Sequence, residues 1–280
     1  MPWDSSGESY HTARPANETA LESKTATSEP ESAMKLIPAK FLLTLSLVAA
    51  SLLPAIAADP NADQILKQMC AKLAAARQFS FKAHREMDPA LVPGSEVAQS
   101  ADVEVTVQRP NKVMAKSVTE NGERRLYADG KTFSLLDAKM NLYTSIPMDT
   151  SIDGLVDQID KKYGFVPPLA EFAVSDPYKE FHREASAVSY VERSTCSTDS
   201  GDTECEHLAL TGKEADAEVW IGVNDHLLKK LVATFHREGN PQLHITFSAW
   251  NLAASAADSE FTFTPPKGAE KIQMRSIAKN

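Results

Sequence analysis

The stretch ADVEVTVQRPNKVMAKSVTENGERRLYADGKTFSLLD, residues 101–137, alternates apolar and polar side chains and is interrupted by turn signals. Val103, Val105 and Val107 share one strand face, Arg109-Pro110-Asn111-Lys112 reads as a turn, and Val113, Ala115 and Ser117 return. Asn121-Gly122 and Asp129-Gly130 favour the positive φ that tight hairpins need, which places strands near 123–128, 131–137 and 140–146. One antiparallel sheet built from consecutive hairpins is the simplest account.

The chain on either side extends this pattern. Upstream, Phe79, Phe81 and Ala83 share a strand face, preceded by a helix with Ile65, Leu66, Met69, Leu73 and Ala76 at helical spacing and Asn61 or Asp63 as its cap. Downstream, Ile152, Leu155, Val156, Ile159 and Tyr163 form an amphipathic stripe, with Thr150 and Asp153 resembling a capping box. Phe165-Val166-Pro167-Pro168-Leu169 ends that helix, and Asp176-Pro177 opens a second carrying Tyr178 and Phe181. Strands resume near 186–193, 205–211, 216–223, 227–237 and 242–251, and a last short one ends at Phe263. About ten strands and two or three helices make a mainly β, α+β fold. A sheet of that size curls around the inserted helix or leaves a cleft against it.

Met34-Lys35-Leu36-Ile37-Pro38-Ala39-Lys40, the apolar run from Phe41 to Leu53, and Ala55-Ile56-Ala57 have the order of a cleaved signal peptide. The expected organisation is a disordered upstream leader over 1–33, a signal over 34–57, and one domain over 58–280, starting at Ala58 and exported to the periplasm. The formal charge is −9 with no basic block, which disfavours nucleic acid and a polybasic membrane contact. In an oxidising compartment Cys196 and Cys205, which bracket a polar Gly-Asp loop, are expected to pair. The alternative is a metal site using Cys205 and His207, which lacks two further ligands in sequence. Cys70 reads as a small packed side chain.

Val107-Gln108-Arg109-Pro110-Asn111-Lys112, then Asp129-Gly130-Lys131-Thr132-Phe133, then Phe261-Thr262-Phe263-Thr264-Pro265-Pro266-Lys267-Gly268 resemble, in that order, the periplasmic lipoprotein carrier family LolA. The resemblance runs from about residue 60 to about 272. Cys205-Glu206-His207-Leu208, Glu218-Val219-Trp220-Ile221 and Ser248-Ala249-Trp250-Asn251 look closer still to a group of predicted periplasmic LolA-like proteins. The resemblance implies a half-open antiparallel β-barrel whose concave apolar face is covered by a helical lid, near 150–182, over a cavity for acyl chains. It also implies that Arg109 hydrogen-bonds lid backbone and latches it closed, a role suited to a rigid five-donor guanidinium. From the residues alone, Arg109 can equally be a solvent-exposed turn arginine. The neighbours of this turn, Val107, Val113, Met114 and Ala115, stand where LolA carries aromatics.

Phe79, Phe81, Val105, Val107, Leu135, Tyr143, Leu231, Phe235, Ile245 and Phe247 alternate as an inward face should, and are the candidate cavity lining; the alternative is a filled core. Ile152, Leu155, Val156, Ile159 and Tyr163 are the candidate lid. Trp220 and Trp250 sit on an outer contact surface or pack beneath the first helix. The chain has no nucleophile elbow, zinc-protease helix or phosphate-binding glycine loop. His236 and His244 flank one turn and could meet across it. Asp149, Asp153, Asp157 and Asp160 read as a solvated helix face. The expected function is a monomeric binding or carrier protein for a lipid or acylated ligand, with no catalytic residues, metal or cofactor. A ligand-free module that docks an envelope protein is the alternative, and a hydrolase is a third.

Overall fold

The backbone alternation of residues 101–137 becomes the middle of one large sheet. The computed structural model describes residues 61–276 apart from 93, 166, 168, 199 and 200, all within one compact unit, Ile56–Asn280. The leader, the signal and the Ala58 start lie outside the described residues. Helix α1 (Ala62–Ala75) leads into β1 (Gln78–Met87), β2 (Gln99–Gln108), β3 (Lys112–Thr119), β4 (Gly122–Ala128), β5 (Thr132–Asp137) and β6 (Leu142–Pro147). Helices α2 (Ile152–Tyr163) and α3 (Pro177–Glu184) follow, then β7 (Ala185–Thr198), β8 (Gly201–Gly212), β9 (Ala215–Gly222), β10 (Leu228–Phe235) and β11 (Gln242–Asn251). A one-turn helix α4 (Asp258–Phe261) and β12 (Glu270–Lys271) close the chain.

The strand order is β12-β6-β5-β4-β3-β2-β1-β11-β10-β9-β8-β7. Consecutive hairpins run outward in both directions from the central β1–β11 pair, and only β12 joins in parallel. The two end strands, β12 and β7, are not hydrogen-bonded to each other, so the sheet is an open antiparallel barrel. Its alternation puts Phe79, Phe81, Val103, Val105, Val107, Leu208, Val219, Ile221, Ile245 and Phe247 into one core beneath the helices.

Local chemistry sets the boundaries. Asn61 caps α1 by accepting from the Gln64 N–H at 3.0 Å, and the helix buries Leu66, Met69, Cys70 and Leu73. Ser151, not Thr150, caps α2: its hydroxyl accepts from the Gly154 N–H at 3.2 Å, and Gly164 ends the helix at φ 71°. Asp153 is therefore not the partner of a Thr150 capping box; its carboxylate accepts from the Ser175 N–H at 2.7 Å. Asp176 caps α3, with Pro177 in its first turn.

Two departures follow from the end of the chain. The strand expected to end at Phe263 is instead α4 and an extended strap, because Phe263 packs on Tyr127 and Tyr143 with centroids 5.5 and 5.2 Å away. That strap, pinned by Lys112 on Asp258, covers the outer face of β3–β6. In β11, Ala249 at φ 50° marks a shift of register against β1, where Ser80 pairs with Asn251 but Lys82 with Ser248. The bulge turns Trp250 inward, onto Phe79, Phe81 and Phe247.

Candidate ligand-binding cleft

The segment from Ser151 to Glu184 lies over the concave side of the sheet. The stripe predicted for α2 faces down: Ile152, Leu155 and Ile159 are buried, while Val156 and Tyr163 are partly so. Beyond the proline segment, Leu169, Ala170, Phe172 and Ala173 are buried as well. Phe172 meets Phe81, Phe247 and Phe181 edge-on at 6.3, 5.1 and 6.0 Å. Between this cover and the floor of Val105, Val113, Ala115 and Leu126 remains a cleft of about 30 Å³. That is room for a water or two and not for an acyl chain.

Arg109 ties the cover to the rest of the fold. Its Nη1 donates to the carbonyls of Leu73 at 3.0 Å and Ala76 at 2.7 Å, at the end of α1. Its Nη2 donates to the Val174 carbonyl in the cover at 2.6 Å, and its guanidinium lies 4.9 Å from the Phe79 ring centroid. Burial lowers its pKa from the ordinary arginine value, an effect that Asp153 opposes. An arginine stays charged despite such a shift. Two other links hold the same segment: the Ile152 N–H donates to the Pro110 carbonyl at 2.9 Å, and Asp63 of α1 receives α3. There the Tyr178 hydroxyl donates to the Asp63 carboxylate at 2.8 Å and His182 Nε2 lies 2.8 Å from it. These bonds, that of Tyr178 first, hold the Asp63 carboxyl below the usual carboxylate range.

The remaining candidate residues divide clearly. Val105 lines the cleft. Phe79, Phe81, Val107, Leu231, Ile245 and Phe247 are buried in the packed core, and Leu135 sits half-buried on the same face. Phe235 stands at the end of β10, half-buried, with the Arg237 guanidinium over its ring. Tyr143 belongs to the other face: its neighbours in register, Leu136 and Lys271, and its contact with Phe263 put it under the C-terminal strap. The alternation of β6 counts Thr144 and Ile146 inward, and Tyr143 is one residue out of phase with them.

Cys196 and Cys205 are joined, with Cα atoms 6.0 Å apart. Cys70 is buried in α1, and burial pushes its thiol up to about 12. His207 stacks on Trp220 at 4.1 Å and lies 3.0 Å from Glu218, in place of any metal pairing with Cys205. Among the described residues no group of three or more His, Cys, Asp or Glu could hold a metal ion. His236 and His244 do not meet: His236 lies on Asp216 at 3.0 Å and His244 on Gln242 at 3.0 Å. Asp149, Asp157 and Asp160 are exposed. Trp220 is covered by the Lys230 ammonium, 4.6 Å from its ring centroid.

The sequence reading missed Phe172, Glu171 and Arg85. Phe172 lies in the short apolar run Leu169–Val174, which resembles a helix-ending loop. Burial raises the Glu171 carboxyl to about 7, with Glu180 adding to the effect. Arg85 continues the inward alternation of Phe79, Phe81 and Ala83, a signal that was available in the residues.

The profile of a family described as predicted periplasmic protein, DUF2092, matches residues 62–275. The chain belongs to this family. The compartment of the DUF2092 family is the one the sequence indicates, the periplasm. Among solved structures, the complex of Pseudomonas aeruginosa MucA and MucB is similar to this DUF2092 protein at 16% identity and a TM-score of 0.41, over 72% of this chain and 61% of that one. A second structure of MucB, in complex with periplasmic MucA, has 15% identity and a TM-score of 0.39, over 73% of this chain and 60% of that one. A LolA superfamily protein from Nitrosomonas europaea has 11% identity and a TM-score of 0.35, over 70% of this chain and 97% of that one. The chain thus spans about 60% of the length of the MucB chains it matches. A comparison with curated proteins gives no match.

Proposed function

We propose that this protein is a periplasmic binding or carrier protein, which holds an acyl chain or a similar apolar ligand between its concave sheet and a movable helical cover. The observation that carries the reading is the Arg109 clasp. One guanidinium bridges α1 and the cover through three carbonyls, beside the Phe79 ring of the core. A contact of that kind joins residues 65 apart in sequence and, with the Pro110 and Asp63 links, is one of the few polar points at which a closed state can be released. The cover itself is held mainly by apolar burial, which an apolar ligand can replace. Such a site matches the general form of a ligand pocket, apolar with a few placed polar groups.

The nearly filled interior supports a second reading, in which the domain holds no ligand and docks on another envelope protein. Hydrogen exchange separates the two. In a carrier, amides of 151–182 exchange faster than those of β1, β2 and β11, and slow when phospholipid is added. Equal protection of cover and sheet, with or without lipid, contradicts a gated cavity and leaves the docking reading.

A further inference from the structure

Of the side chains that alternate inward along β1, only Arg85 is charged. Phe79, Phe81 and Ala83 precede it, and its neighbours in register are Ala101 on β2 and Ile245 on β11, both buried. Arg85 is half-buried, its Nε is wholly shielded, and among the described residues its guanidinium has no hydrogen-bond or ion-pair partner. The acids of β1 and β2 cannot supply one. Glu86, Asp102 and Glu104 alternate to the opposite face, where Glu86 and Asp102 meet His84 at 3.6 and 2.7 Å and Glu104 meets Lys82 at 3.0 Å. Gln99, the nearest inward polar side chain on β2, gives its amide to the Ser95 hydroxyl at 3.3 Å.

The contrast with Arg109 is instructive. Arg109 also has a shielded, unbonded Nε, but both its terminal nitrogens are spent on carbonyls of the fold. Arg85 keeps its whole fork unspent. Burial lowers its pKa, with no acidic neighbour acting against the fall. A half-buried guanidinium on an apolar floor attracts an anion, and its planar fork matches a carboxylate or phosphate in two parallel hydrogen bonds. The two arginines stand at opposite ends of the apolar strip of β1. Phe79, beside Arg109, and Arg85 are six residues apart, roughly 20 Å along a strand. With Phe172 of the cover lifted from Phe81, that spacing suits a long acyl chain laid over Phe81 and Ala83.

We infer that Arg85 is a headgroup site on the inward face of β1, outside the small cleft beneath α2, and that the ligand class is an amphiphile with one anionic head, a carboxylate or a phosphate, and a long apolar tail. The inference rests on the carrier reading above and narrows it. The test measures binding of hexadecanoate, hexadecyl phosphate and hexadecan-1-ol to the parent protein and to Arg85→Met and Arg85→Lys. The parent is expected to bind at least one of the two anions about tenfold or more tighter than the alcohol. Arg85→Met should erase that preference, bringing the anions down to the affinity of the alcohol, and Arg85→Lys should retain part of it. The anion that loses more identifies the head. If the parent binds acid, phosphate and alcohol alike, or if Arg85→Met keeps the preference, the headgroup site is refuted and the carrier reading stands. If it binds none of the three, both readings fall together. Arg85→Met removes an unpaired, half-buried charge, so it should fold at least as well as the parent.

Discussion

Arg109 shows how much one side chain can be asked to do. Removing it takes a donor from the carbonyls of Leu73, Ala76 and Val174, of which Leu73 keeps the Ala76 N–H, and strips a cation from the Phe79 ring. Hydrogen bonds from a charged donor contribute about 1.5–3 kcal/mol each when sheltered, and water recovers part of that where the site opens. Arg109→Leu should therefore destabilise the fold by about 2–4 kcal/mol, read as a melting temperature lower by roughly 5–15 °C. Binding of a hydrophobic dye by the unliganded variant should rise at the same time, because part of the loss falls on the closed state of the cover. Arg109→Lys should lie between the two, since a point charge keeps attraction and loses the fork. An Arg109→Leu protein that melts and binds dye as the parent does would reduce this residue to an ordinary turn arginine.

The cover is the element on which the account depends. Ile152, Leu155 and Ile159 bury against the sheet, an upper bound of roughly 5–8 kcal/mol for the three side chains together. On the proposed carrier reading, a ligand that opens it must replace those contacts, which an apolar tail can do and a polar solute cannot. Glu171 adds a pH dependence. Its carboxyl titrates at about 7 in the closed fold against an ordinary 4.5, so the closed state binds its proton more tightly than the open or unfolded chain. The contribution of Glu171 to the stability of the cover should thus be fully present below pH 4.5, fall as pH rises through the window from 4.5 to 7, and be gone above it, whereas the Asp63 link weakens only at lower pH, as its carboxylate is protonated. Dye binding should increase across that window in the parent and stay flat in Glu171→Gln. A parent and variant with the same pH profile would remove Glu171 from the gating.

Much of this element structure was legible in the residues. Asn121-Gly122 and Asp129-Gly130 make the hairpins their chemistry predicts, with Gly122 and Gly130 at φ 132° and 89°. The stripe of α2 faces the core as its spacing requires. What failed did so where several local signals compete or where tertiary contacts override alternation. Thr150 and Ser151 are both good caps, and only the fold selects the second. Phe263 alternates like a strand residue, yet its ring is taken by Tyr127 and Tyr143 on the outside of the sheet. Trp250 faces inward because of a one-residue bulge at Ala249, which no period-two count contains.

At the scale of the whole molecule, an open sheet of twelve strands among the described residues, antiparallel but for β12, curves over one apolar face, and a helical segment lies across that face. Alternation along single strands reveals which residues point inward but not how much space they enclose. For that reason six of the ten candidate cavity residues are buried in the packed core, and of the ten only Val105 lines the cleft, beside Val113, Ala115 and Leu126. The central claim is that this interior opens to hold an apolar ligand. Native mass spectrometry of the protein recovered from the periplasm, without detergent, tests it most directly. The account predicts a fraction carrying one added mass of lipid size, released when the protein is denatured and increased in Arg109→Leu. Protein that emerges only at its bare mass, and remains so after incubation with phospholipid and fatty acid, would contradict it.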